Sequence, residues 1–161
     1  MFVHPSNFGI TNIDQDCMQP NAIDIRINQL FVVQTDVDFV ITDKSKPVHR
    51  PRFELIPQNK VAMFVIGKGV YQFETQHFIE VPEGYAGYLI PRSSLNRNGL
   101  FIMSGLYDSG FKNYIGGTLY AMGPANIQHN TRIAQFVMVK AETAHLYNGQ
   151  YNITKESKNG N

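Results

Sequence analysis

The stretch Pro91-Arg92-Ser93-Ser94-Leu95-Asn96-Arg97-Asn98-Gly99-Leu100 gathers side chains that hold anions. A guanidinium donates in a planar fork that fits two phosphate oxygens, and Arg92 and Arg97 bracket a short turn. Proline fixes φ and has no N–H to give, so Pro91 is expected to end the apolar run 85–90. Ser93 or Ser94 suits an N-cap, residues 95–98 suffice for about one helical turn, and Gly99 suits its close. A helix start exposes unpaired N–H groups that favour anions. Arg92, Ser93, Ser94 and Arg97 therefore read as a polyphosphate cradle. A second candidate follows in Gly105-Leu106-Tyr107-Asp108-Ser109-Gly110-Phe111, where Asp108 sits in a tight turn. A carboxylate there can take a proton from water, although turns favour Asp for their own geometry as well.

These residues need a scaffold, and the chain reads as strands. Residues 21–30 alternate, with Ile23, Ile25 and Ile27 on one face and Asp24, Arg26 and Asn28 on the other. Period two marks a half-buried strand and predicts Asp24 and Arg26 as an exposed ion-pair row. Further strands are expected at 31–41, 53–57, 61–66, 70–74, 77–81, 85–90, 100–103, 115–122 and 132–139, with turns at 82–84 and 123–126. Residues 42–52 carry Pro47 and Pro51 beside Lys44, Lys46, Arg50 and Arg52 and read as a loop. Nowhere does a 3.6-residue period outlast one turn, so the class is all-β, a barrel or a sandwich.

At 161 residues the chain suits one domain, residues 1–146, followed by a polar tail, 147–161, expected to stay mobile unless a ligand orders it. A net charge of +1 argues against a broad nucleic-acid surface. The single cysteine, Cys17, excludes an intrachain disulfide and a multi-cysteine zinc site. The five histidines show no ligand spacing and read as ordinary surface or partly buried residues. No apolar run reaches membrane-span length and no leader pattern opens the chain, so a cytoplasmic location is expected.

Together with Arg132-Ile133-Ala134-Gln135 and Gln19-Pro20-Asn21-Ala22-Ile23-Asp24-Ile25-Arg26, the two candidate segments resemble the trimeric dUTPase and dCTP deaminase superfamily. The resemblance spans residues 19–152. It implies a distorted jelly-roll-like β-barrel, a homotrimer with sites at subunit interfaces, and a deoxynucleoside triphosphate substrate. It implies Mg²⁺ held through the substrate phosphates, with no protein metal ligand. Asp108 matches the water-activating aspartate, and Gln135 matches a residue that reaches the terminal phosphate. Ser104, Gly105, Leu106 and Tyr107 match the hairpin that reads the base. Phe111 matches the aromatic under the deoxyribose, while Asp24 and Arg26 match residues of the subunit contact. Tyr147, Gln150 and Tyr151 resemble a closing tail, with Gln150 where a phosphate-binding Lys is expected.

One departure separates the branches. The deaminases carry a catalytic Glu ten positions after the hairpin Asp, and here that position is Thr118. Without that carboxyl group, deamination at C4 lacks an evident proton shuttle. The resemblance thus implies hydrolysis of dUTP to dUMP and pyrophosphate. A dCTP deaminase or bifunctional enzyme, and an inert nucleotide- or protein-binding paralogue, are the alternatives.

Overall fold

The computed structural model describes residues 1–43 and 48–153. Its strands are β1 (Phe2–Val3), β2 (Ile23–Arg26), β3 (Gln29–Val33), β4 (Arg52–Glu54), β5 (Met63–Ile66), β6 (Gly69–Glu80), β7 (Tyr85–Pro91), β8 (Leu100–Met103), β9 (Lys112–Ala121), β10 (Ala125–Gln128) and β11 (Arg132–Lys140). The one α-helix among the described residues is α1 (Ser93–Arg97). All pairings are antiparallel. In one sheet β11 has β7 along one edge, while β2 and β1 share the other. A five-stranded sheet runs β4-β3-β6-β9-β8, and β5 pairs with β10 in a separate ribbon. Phe73 and Leu119 of the five-stranded sheet join Ile25, Ile133 and Phe136 of the other in one buried core. This is the expected all-β class. No helix among the described residues is long and apolar enough to cross a membrane.

Several elements differ from the sequence expectation for physical reasons. The strand from Gln29 ends at Val33, because Val33 is the last residue of β3 with a partner, Arg52 of β4. The two strands expected at 70–74 and 77–81 are one continuous β6, whose pairing slips between Glu74↔Gly116 and Phe78↔Tyr114. Between these pairs three residues of β6 oppose one of β9, a bulge that Thr75 fills by donating its hydroxyl to the Ile115 carbonyl at 2.6 Å. Ala125, expected in a turn, opens β10. In the basic loop, Lys44 and Lys46 lie outside the described residues, while Arg50 donates to the Val37 carbonyl.

Close packing makes two positions sensitive. Gly87 of β7 lies against Phe136, whose ring a Cβ at residue 87 would meet at 2.4 Å. Gly87→Ala is expected to destabilise the protein by about 1–3 kcal/mol, the range for overpacking. Denaturant unfolding measures this, and an unchanged midpoint would mean that the ring yields freely. His77 is 2% exposed and its Nε2 accepts the Arg26 backbone N–H at 3.0 Å. That acceptor role assigns the proton to Nδ1, which donates to the Thr11 carbonyl at 3.3 Å. Burial pushes the imidazole below its ordinary value of 6.5, with Arg26 adding to the shift against the backbone groups of Thr11 and Asn12 and against Asp14. The unfolded chain therefore binds the proton first as pH falls, so the stability present above pH 6.5 is lost progressively below it. Thermal midpoints from pH 7.5 to 5 should decline, and the decline should be shallower in His77→Gln.

Candidate active site

The phosphate candidates begin where β7 ends. Pro91 still pairs with Ala134 of β11, so the strand carries on to the threshold of α1. Arg92, with φ −64° and ψ 146°, is the N-cap, not Ser93 or Ser94, and its side chain makes no capping bond. The serines occupy the first turn instead and are exposed, as is Arg97 in the last turn. Leu95 packs on the core and fixes the orientation of the turn, and Gly99 leaves it in the left-handed region at φ 72°.

Asp24 organises this corner. Its side chain is only 1% exposed and sits 3.3 Å from Arg92 Nε and 3.5 Å from Arg132 Nη1. The Gln135 amide donates to its Oδ1 at 3.1 Å, and the Gln19 amide to its Oδ2 at 3.3 Å. Register explains the convergence, since Gln135 of β11 faces Asp24 on one side and Ile90 of β7 on the other. The expectation of an exposed Asp24–Arg26 row is therefore corrected. Ile23, Asp24 and Ile25 are all buried, so β2 is covered on both faces, and Asp24 pairs away from Arg26. Arg26 instead binds Asp16 at 2.5 Å and approaches Asp14 at 3.4 Å. One carboxylate between two guanidiniums leaves Arg92, Arg132 and Asp24 with net positive charge, and both arginines remain about one-third exposed. Such a fixed, partly solvated pair of cations suits phosphate oxygens.

The hairpin is tied down separately. The Ser104 hydroxyl accepts the Leu89 N–H at 2.9 Å, and Tyr107 and Gly87 exchange both backbone bonds at 2.8 and 2.9 Å. The Tyr107 phenol donates to the Gly116 carbonyl at 2.5 Å and accepts the Gly116 N–H at 3.2 Å, linking the two arms. Burial raises that phenol to about 12, so it stays protonated as a brace. Ser109 donates to the Tyr85 carbonyl at 2.6 Å, which makes Thr143 the donor in their 2.7 Å contact. Between these anchors the Asp108 side chain is left exposed at the turn. The Asp108 carbonyl accepts the Phe111 N–H at 2.9 Å, and the Phe111 ring meets Tyr107 edge-on at 5.1 Å.

A cavity of about 920 Å³ opens beside the hairpin, lined by Gly105, Leu106, Tyr107, Phe111, Tyr147 and Tyr151. A Cβ on Gly105 would meet nothing within 4 Å. The segment after β11 folds back over the hairpin: Tyr147 N–H donates to Ser109 O at 2.7 Å and the Tyr147 ring lies 5.7 Å from Phe111. Its anchor is Asn152, which accepts the Lys112 N–H at 2.8 Å and donates to the Gly110 and Tyr147 carbonyls, each at 3.2 Å. Gln150 is exposed, and residues 154–161 lie outside the described residues. Sequence reasoning missed Asn152 and Thr143, because short polar residues in turns carry no mark of their tertiary partners. It also missed Arg52, Gln72 and Glu74, which line the cavity from β4 and β6.

Two groups thus form, and a single chain keeps them apart. Arg92, Ser93, Ser94, Arg97, Gln135 and Asp108 do not line the cavity. Tyr107 is bonded to Gly87, whereas Arg92 follows the far end of β7, roughly 16 Å along the strand at its usual rise.

The dCTP deaminase-like family model matches residues 3–141. The chain belongs to the dCTP deaminase-like family. Among relatives of this family, it is 28% identical over 143 residues to the deoxyuridine 5'-triphosphate nucleotidohydrolase of Methanocaldococcus jannaschii, covering 87% of this chain and 90% of that one. It is also 28% identical to the dUMP-forming dCTP deaminase of Persephonella marina, over 88% of this chain and 81% of that one. The fold resembles the 2'-deoxycytidine 5'-triphosphate deaminase of Agrobacterium tumefaciens, with a TM-score of 0.60 at 17% identity over 81% of this chain and 42% of that one. A mutant dUTPase from phage phi11 of S. aureus, described with a structural Mg(II) ion, gives a TM-score of 0.53 at 14% identity, covering 89% of this chain and 96% of that one. Members of the family thus include both activities, and the side chains of this chain must separate them.

Proposed function

We propose that this protein hydrolyses dUTP to dUMP and pyrophosphate. The observation that carries the reading is the pairing of an exposed Asp108 carboxylate on a rigid hairpin with Thr118 lining the adjacent cavity, where the deaminase branch has its acid. Asp108 takes a proton from water as the water oxygen attacks the α-phosphorus. The bond from that phosphorus to the bridging oxygen breaks, and pyrophosphate leaves. Arg92, Ser93, Ser94, Arg97 and Gln135 receive the phosphates, with Asp24 holding Arg92 and Gln135 in place. Ser104, Gly105, Leu106, Tyr107 and Phe111 receive base and sugar, and Tyr147, Gln150 and Tyr151 belong to the segment that closes over them.

The 16 Å spacing along β7 supports a site built between copies of the chain, in a homotrimer: the phosphate corner of one copy meets the hairpin of another. Mg²⁺ fits as an ion carried by the substrate. Asp24 is fully engaged by its four partners, and the one cluster of three or more metal-binding groups among the described residues, Asp14, Asp16 and Cys17, is occupied by Arg26. Phosphate oxygens and water suit Mg²⁺, and the ion would neutralise phosphate charge.

The deaminase alternative has one observation behind it, because Glu74 lines the cavity. Its carboxylate, however, is held by Arg52 at 2.8 Å. The test incubates the purified protein with dUTP or dCTP, with Mg²⁺ or with EDTA, and resolves monophosphate, pyrophosphate and ammonia. We expect dUMP and pyrophosphate from dUTP with Mg²⁺ alone. Ammonia from dCTP in equal amount with a uracil nucleotide would move the assignment to Glu74 and the deaminase branch.

A further inference from the structure

A polar row on the five-stranded sheet, Arg52, Gln72 and Glu74, lines the same cavity as the hairpin. Arg52 lies 4.1 Å over the Phe31 ring, donates through Nη2 to Glu74 Oε1 at 2.8 Å, and donates through Nη1 to Gln72 Oε1 at 3.3 Å. Three contacts therefore fix the guanidinium, and the guanidinium in turn fixes the amide. A carbonyl oxygen that accepts from Arg52 turns the amide NH₂ to the other side. The strand order β4-β3-β6-β9 places Arg52 on one flank of Gln72, and the register places Thr118 of β9 directly opposite Gln72 on the other. Gln72 and Thr118 both line the cavity with Leu106 and Phe111. With its oxygen on Arg52, the amide turns its NH₂ away from the guanidinium, and the strand on that side of Gln72 is β9 with Thr118.

We infer that Gln72, oriented by Arg52, selects a pyrimidine with an oxygen at position 4 over one with an amino group. The inference rests on the nucleotide-binding reading above and adds the residue that decides the base. Uracil offers O4, an acceptor with two lone pairs, to an NH₂ donor. Cytosine offers its own NH₂ there, and two donors facing each other leave both unmatched. Glu74 competes less as an acceptor, because its Oε1 already accepts from Arg52 Nη2.

Calorimetric titration of the purified full-length protein with dUMP and with dCMP reads the preference as an affinity ratio, independent of turnover. The wild type is expected to favour dUMP by about tenfold or more. Gln72→Glu replaces the donor by an acceptor and should cut the ratio at least about tenfold, or invert it. Gln72→Met, of similar shape but without a donor, should bring the ratio toward one. Arg52→Ala frees the amide to flip and should lower the ratio with Gln72 intact. A dUMP preference that survives in folded Gln72→Glu and Gln72→Met overturns the inference, as does a wild type that prefers dCMP. If neither nucleotide binds, both this inference and the nucleotide reading fall. Gln72-dependent selection of dUMP without hydrolysis of dUTP removes the hydrolase reading and keeps this one.

Discussion

Asp108→Asn should bind nucleotide as tightly as the parent while turning over dUTP about 10²–10⁴ times more slowly, the scale on which loss of a general base is felt. The substitution is conservative in shape. The hairpin is held by Tyr107, Ser109 and Ser104, none of which uses the Asp108 side chain. The folded structure should therefore survive, and single-turnover kinetics beside a binding isotherm separates the chemical defect from a binding one. Near-normal turnover would remove Asp108 from the chemistry.

Asp24→Ala should produce the largest loss of stability of any single change. It removes the carboxylate between Arg92 and Arg132 and strands the amides of Gln19 and Gln135. Breaking a buried pair by deleting one partner costs about 3–5 kcal/mol. At about 2–4 °C per kcal/mol for a chain of this size, the thermal midpoint falls by roughly 6–20 °C. Asp24→Asn keeps the volume and one acceptor oxygen, so it should lose less. Equal loss in the two variants would mean that charge, and not shape, is what the arginines need. Differential scanning calorimetry on both variants decides the matter, and an unchanged midpoint in Asp24→Ala would refute the role given to Asp24.

The sequence reveals what depends on local pattern. Apolar runs locate β7, β8 and β11 to within a residue or two, whereas the alternating stretch read as one strand over 21–30 is β2 (Ile23–Arg26) followed by the start of β3 at Gln29. The cluster of Pro91, Arg92 and Gly99 marks a short helical turn after a strand. Alternation cannot show that the polar face of β2 is also covered, so Asp24 reads as exposed, although it is buried between two arginines from β11 and the end of β7. The Thr75–Ile115 bond that carries β6 through its bulge is a tertiary contact with no local trace. The same limit hides Gln72 and Arg52. They sit on a polar sheet face that looks solvent-facing in one dimension and becomes a cavity wall only when the hairpin folds beside it.

The rigid spacing of β7 also has a genetic consequence. If each site takes its hairpin from one copy and its phosphate corner from another, a copy defective at Asp108 and a copy defective at Arg92 carry complementary lesions. Mixed within one assembly, they generate some sites that hold both an intact hairpin and an intact corner. Two inactive proteins, unfolded and refolded together, should then regain a minor but definite fraction of activity that neither shows alone. A single defective copy, conversely, would damage sites shared with its healthy neighbours, so such alleles should be partly dominant.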